Sequence, residues 1–258
     1  MDLGIQGKKA IVCASSKGLG RACALSLVQE GVDVIINSRN EEDLKKVKTE
    51  LSSLKSGKVD YIVADLNSEE GRENIVSSCP EADILINNNG GPPPVNFLEI
   101  EKDQWLEALE SNLLTAVMLI KALLPGMQER KFGRIINIIS ISVKAPIDNL
   151  GVSNTVRWAM ASWAKTLSNE VAEYGITVNN ILPGFTDTER LQSLLKNRAL
   201  SSDSTIKEIT NNTISNIPAK RFGKPEEIAD ATSFLCSKSA DYINGINLPI
   251  DGGFSKSL

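Results

Sequence analysis

Ala14-Ser15-Ser16-Lys17-Gly18-Leu19-Gly20-Arg21-Ala22 is the stretch on which the fold class turns. It joins a short β-rich run, Lys9–Ala14, to a stretch with helical spacing, Gly18–Glu30, in which Leu19, Ala22, Cys23 and Leu27 share one face. Gly18 and Gly20 allow a tight turn and a close backbone approach. The free N–H groups and positive end of the helix that follows suit a pyrophosphate. A glycine pair also fits a plain tight turn, so the order of the remaining elements has to support the reading.

That order is regular. Further strands are expected at Asp33–Ser38, Val59–Asp65, Asp83–Asn88, Arg134–Ser140, Ile176–Leu182 and Ile246–Ile250. Most are continuous apolar runs, as when helices cover both faces of a parallel strand. Helices are expected at Glu41–Leu54, Glu69–Ser78, Lys102–Glu129, Gly151–Glu173 and Pro225–Ser237. Alternation of this kind predicts βαβ units with right-handed crossovers in an α/β fold. The fold class is a Rossmann-like, doubly wound, mainly parallel seven-stranded sheet flanked by helices. Residues 1–258 read as one dinucleotide-binding domain, with a polar segment at about 186–217 expected as a substrate-loop or lid insertion.

Composition narrows the function. With 258 residues, 41% hydrophobic, 23% charged and a net charge of −4, the chain offers no basic surface for nucleic acid or anionic membrane. No uninterrupted apolar run reaches the roughly 18 residues of a membrane span, and the first residues lack a secretory apolar core. The four cysteines, Cys13, Cys23, Cys79 and Cys236, form no C-x-x-C pair and suit reduced cytoplasmic thiols. There is no histidine, which excludes Ser-His-Asp and Cys-His catalysis and the usual zinc sites; no metal is expected.

The second strand ends Asn37-Ser38-Arg39, where NAD-binding chains place an Asp or Glu for the ribose 2′-hydroxyl. No acid stands there. Arg39 follows the strand and Lys17 lies in the glycine turn; two cations suit a 2′-phosphate, which favours NADP(H) over NAD(H).

With these residues in place, the chain resembles the short-chain dehydrogenase/reductase family along nearly its whole length, and within it the 3-oxoacyl-(acyl-carrier-protein) reductase-like members. Ala14-x-x-x-Gly18-x-Gly20 resembles the family's glycine motif with Ala for the first Gly. Asn87-Asn88-Asn89-Gly90 resembles N-N-A-G, Pro183-Gly184-Phe185-Thr186-Asp187-Thr188 resembles P-G-x-x-x-T, and Asp251-Gly252-Gly253 resembles the closing turn. The resemblance implies cofactor contacts from Ala14, Ser16, Lys17, Gly18, Leu19 and Gly20 in the turn, and from Ser38 and Arg39. It implies others from Asp65 and Leu66 at the adenine, and from Asn88, Asn89, Gly90, Pro183, Gly184, Thr186 and Thr188 further along. It also implies a homotetramer formed through the helices at 102–129 and 151–173, in agreement with the apolar content of Trp158–Leu167.

Four residue types carry the family's chemistry: Asn, Ser, Tyr and Lys. Asn112 and Ser140 match the first two. Family spacing then places Ser153 where Tyr is expected and Arg157 where Lys is expected, so that YxxxK becomes Ser153-Asn154-Thr155-Val156-Arg157. The pair is i,i+4 on one helix and shares a face. Arg157 can bind ribose hydroxyls but deprotonates poorly. An aliphatic hydroxyl is a weaker acid than a phenol of pKa about 10, at about 1.4 kcal/mol per unit.

Three readings stay open. Ser140, Ser153 and a water supply the proton; or Lys144 or Asp148 does; or the chain binds the dinucleotide without turnover, as a sensor or scaffold. On the first two, the substrate is a small ketone or an acyl thioester.

Overall fold

The structure is a computed structural model that describes residues 2–257. The strands are Lys9–Val12 (β1), Asp33–Ser38 (β2), Val59–Val63 (β3), Ile84–Asn87 (β4), Gly133–Ile138 (β5), Ile176–Pro183 (β6) and Asn247–Ile250 (β7). They form one sheet in the order β3-β2-β1-β4-β5-β6-β7, and every neighbouring pair is parallel. The order reverses between β1 and β4, so the carboxyl ends of these two strands open a crevice at the topological switch point.

Nine α-helices connect the strands among the described residues: Gly18–Gln29 (α1), Glu41–Ser52 (α2), Glu69–Ser78 (α3), Lys102–Leu109 (α4), Thr115–Arg130 (α5), Gly151–Val171 (α6), Glu189–Ser201 (α7), Ile206–Ser215 (α8) and Pro225–Cys236 (α9). The apolar runs bury both faces of the sheet, as parallel strands require. Ala10, Val12, Ile84, Ile86 and Ile136 meet α1, α2 and α9 on one face. Ile11, Leu85 and Ile135 meet α3, α5 and α6 on the other.

Three features differ from the sequence expectation. The helix expected at 102–129 is broken by a π turn at Glu110–Leu114, which puts Asn112 inside the irregular backbone; such turns recur at functional sites. The same run, Lys102–Arg130, is long and apolar enough to cross a membrane by length and composition, its most apolar 18 residues having a mean hydropathy of 1.4. The sequence expectation missed it because scattered polar residues such as Lys121 interrupt the apolar positions; here Leu119, Leu123 and Met127 bury against the sheet. The polar segment expected at 186–217 folds into α7 and α8. Thr188 caps the first by accepting from the Leu191 N–H, and Thr205 and Glu208 form a capping box on the second.

A side-chain ladder crosses four strands. Asn87 Nδ2 donates to Asn137 Oδ1 at 2.9 Å, Asn137 Nδ2 to Asn180 Oδ1 at 2.8 Å, and Asn180 Nδ2 to Asn247 Oδ1 at 2.8 Å. These residues face one another in the strand register. The ladder satisfies amides that would otherwise be buried without partners.

Candidate active site

The glycine turn is built by backbone conformation and one asparagine. Ala14 sits at φ 46° and Gly18 at φ 57°, both left-handed. Asn88 Nδ2 donates to the Cys13 and Ala14 carbonyls at 3.3 and 3.2 Å, pinning the turn to the end of β4. Gly20 packs under it: a β-carbon there would lie 2.4 Å from the Ala14 carbonyl oxygen, so no larger residue fits. At the N-cap of α1, Lys17 is extended and no side chain caps the helix. The first-turn N–H groups therefore lack a side-chain partner and face an anion-compatible opening.

A groove of about 640 Å³ runs past this turn. Ala14, Ser16, Lys17, Ser38, Arg39, Asp65, Leu66, Asn89 and Gly90, all expected from sequence, line it together. Arg39 lies at its rim with its side chain 78% exposed, 4.0 Å from Asp65. Lys17 Nζ is committed to Glu189 at the start of α7, at 2.7 Å, and this partner raises its pKa. Gly18, Leu19, Gly20 and Asn88 do not line the groove; Gly20 and Asn88 support the turn from beneath, and Leu19 packs on the core.

The residues expected to carry the chemistry lie next to Gly91, which lines the groove. A β-carbon on Gly91 would stand 3.3 Å from Arg157 Nη2 and 3.8 Å from Ser153 Oγ, which places these two side chains together beside Gly91. Arg157 is buried; Nη1 donates to the Ile138 carbonyl at 3.1 Å and Nη2 to that of Asn89 at 3.4 Å. Burial, then the charge of Arg190, pull its guanidinium down to about 10. Ser140 Oγ, at the exit of β5, accepts from the Ser142 N–H. Asn112 Nδ2 donates to Ala108 O and Ser111 Oγ, while its buried Oδ1 has no partner among the described residues. Asn112 and Arg157 line a small cavity of about 20 Å³ next to the groove.

Of the P-G-x-x-x-T stretch, Thr188 comes within reach of Gly18, since a β-carbon on Gly18 would lie 3.8 Å from Thr188 Cγ2. Thr186 is buried and donates to the Gly184 carbonyl at 3.3 Å. Gly184 packs against Asp251, so that the 183–188 loop and the closing turn support each other. The three tyrosines lie elsewhere: Tyr61 on β3 bonded to Glu41, Tyr174 after α6, and Tyr242 fully exposed.

Several contacts were not legible in the sequence. Asn37 is buried, lines the groove and donates to the Ile62 and Ala64 carbonyls. Ser15 ties Asn37 to the turn by accepting from its N–H at 2.9 Å. Arg190, next to Glu189 on α7, donates to the carbonyls of Gly91 and Pro92, each at 3.1 Å. Glu189 and Arg190 thus tie α7 to both walls of the crevice.

Comparison with known proteins agrees with this geometry. The family model described as enoyl-(acyl carrier protein) reductase matches residues 13–255. The chain is 35% identical over 263 residues to the uncharacterized oxidoreductase YvaG of Bacillus subtilis, covering 100% of both. It is 34% identical over 253 residues to the 3-oxoacyl-[acyl-carrier-protein] reductase FabG of Salmonella typhimurium, covering 97% of this chain and 98% of that one. The structure of L-sorbose reductase from Gluconobacter frateurii, solved with NADPH and L-sorbose, superposes with a TM-score of 0.94 at 32% identity, covering 100% of both chains. Sheet order, glycine turn and these matches agree: the chain belongs to the short-chain dehydrogenase/reductase family.

Proposed function

We propose that this chain is an NADP(H)-dependent oxidoreductase that reduces a carbonyl of a small ketone or acyl thioester, with a non-standard proton donor. One observation supports this above others: the groove passes the uncapped start of α1, has Arg39 at one rim, and reaches Gly91 beside Ser153 and Arg157. Its donors fit a dinucleotide phosphate. The α1 N–H groups and Ser16 would hold the diphosphate, and Arg39 with Ser38 a 2′-phosphate. Asp65 and Leu66 would flank the adenine, Asn89 and Gly90 the central ribose, and Pro183, Gly184, Thr186 and Thr188 the nicotinamide end. Bound there, the cofactor supplies the hydride.

The chain's own residues then handle charge and proton. Arg157 would orient the nicotinamide ribose and hold a positive charge near the carbonyl oxygen. Ser140 and Ser153 would donate hydrogen bonds to that oxygen. The open Oδ1 of Asn112 would accept from a water in the adjoining cavity, which can resupply the proton. In this reading Ser153 and Arg157 replace the family's Tyr and Lys, and about 186–217 acts as the lid of a single domain. Leu106, Met118 and Trp158 expose apolar surface on α4, α5 and α6, and Leu114 on the π turn between the first two, which supports assembly as a homotetramer.

Without a phenol near Ser140 and Ser153, a binding protein that does not turn over is the second reading. NADPH oxidation followed by absorbance over a ketone and thioester panel separates the two. Ser153→Tyr combined with Arg157→Lys is expected to raise the rate at least tenfold; an unchanged or lower rate, with NADPH still bound, would count against carbonyl reduction at this site.

A further inference from the structure

Arg157 and Arg190 face the same short loop without an acid between them. Arg157 reaches it from inside the protein, with Nη2 beside Gly91 and bonded to Asn89 O. Arg190 reaches it from α7, bonded to the carbonyls of Gly91 and Pro92. The neighbouring acids are occupied elsewhere: Glu189 holds Lys17, and Asp187 accepts from Gln192 Nε2. Among the described residues, neither guanidinium has a carboxylate partner. Their mutual repulsion is part of what pulls Arg157 down. A buried cation without a counter-charge is costly, and backbone carbonyls offset only part of that cost. Such an arrangement lacks one anion, at a place within reach of Ser153.

We propose that the substrate is an oxo-carboxylate, whose carboxylate is held by Arg190 in the field of Arg157 while its ketone faces Ser153 and Ser140. This rests on the carbonyl-reductase reading above and names its substrate class. A carboxylate suits the site because a guanidinium presents planar, forked donors matched to two oxygens, and Arg190 commits only Nη2 to carbonyls. The cofactor's phosphates do not fill this role, because the donors that suit them lie at the glycine turn and at Arg39, towards the other rim of the groove. A neutral ketone would leave the buried Arg157 without a counter-charge, while Arg190, exposed to solvent, is free to turn its remaining donors to a carboxylate, so the site discriminates by charge.

The experiment is a calorimetric titration of pyruvate, acetoacetate and levulinate, each against its methyl ester. It is run on the full chain with and without NADP+, whose oxidised ring prevents turnover. At least one acid is expected to bind about tenfold or more tightly than its ester, as a charge-assisted hydrogen bond allows. Arg190→Gln is expected to abolish that preference, and Arg190→Lys to restore part of it. NADPH affinity, followed by tryptophan fluorescence, should be the same in both variants as in the wild type. No preference for any acid in either form overturns the proposal. So does an Arg190→Gln variant that weakens NADPH but not the acid, because Arg190 would then serve the cofactor. Failure of the reductase reading appears separately, as absent NADPH binding or absent turnover of every carbonyl.

Discussion

Gly18 and Gly20 serve the same turn for different physical reasons, and alanine substitution separates them. A β-carbon on Gly20 would lie 2.4 Å from the Ala14 oxygen, about 0.6 Å inside the 3.0 Å that real β-carbons respect, and 2.8 Å from Asn88 Nδ2. Neither atom can yield freely. Ala14 is already left-handed, and its carbonyl is held by Asn88, which also holds Cys13. Relieving the clash means displacing the turn and losing one or both Asn88 bonds, at about 0.5–1.5 kcal/mol each, on top of about 1–3 kcal/mol for overpacking. Gly20→Ala should therefore cost about 1.5–6 kcal/mol, a fall in Tm of roughly 3–24 °C for a chain of this size. It should also weaken NADPH at least tenfold, because the α1 N–H groups move with the turn. Gly18→Ala meets nothing closer than 3.8 Å, so only its left-handed backbone costs, about 1–2 kcal/mol. Thermal melts by circular dichroism and NADPH titration by tryptophan fluorescence measure both effects. A Gly20→Ala protein with wild-type Tm and affinity, or one less affected than Gly18→Ala, would refute this account of the turn.

Arg39→Ala should leave stability unchanged, since the side chain is exposed and only loosely paired with Asp65. It should weaken NADPH about tenfold or more while leaving NADH unaffected; parallel titrations decide this, and equal loss for both cofactors contradicts the 2′-phosphate assignment. Asn137→Leu should cost about 2–6 kcal/mol in urea unfolding, because it strands Asn87 Nδ2 and Asn180 Oδ1 inside the sheet. A loss below about 1 kcal/mol would mean that water or relaxation satisfies both groups.

The strands were legible because a parallel strand covered on both faces is mostly apolar: Ile84–Asn87 is nearly so, and Ile176–Leu182 keeps Ile176, Val178, Ile181 and Leu182 in the core despite Thr177, Asn179 and Asn180. The glycine turn was legible because its chemistry is local. By contrast α7 and α8 carry many polar residues and few apolar ones, so periodicity is faint there. Thr205 and Glu208 were the available signal, three residues apart before a short helix. The π turn at 110–114 shifts a hydrogen bond by one residue and leaves no mark in composition. The pairing of Lys17 with Glu189, 172 positions apart, and of Arg190 with Gly91, 99 apart, depends on tertiary proximity that no local pattern encodes.

The asparagine ladder bears on how this chain finds its fold. Its rungs join residues 50, 43 and 67 positions apart, among the slower contacts to form. Backbone hydrogen bonds alone would accept β5 slid along β4 or β6, since one peptide group resembles the next. The amides would not: a slip of one residue sets Ile136 or Ile138 against Asn180 and leaves polar groups stranded in the apolar interior. The ladder therefore acts as an alignment mark. A misaligned half-sheet is penalised by its own side chains before the loops that carry Ser140, Gly91 and Thr186 have been brought together.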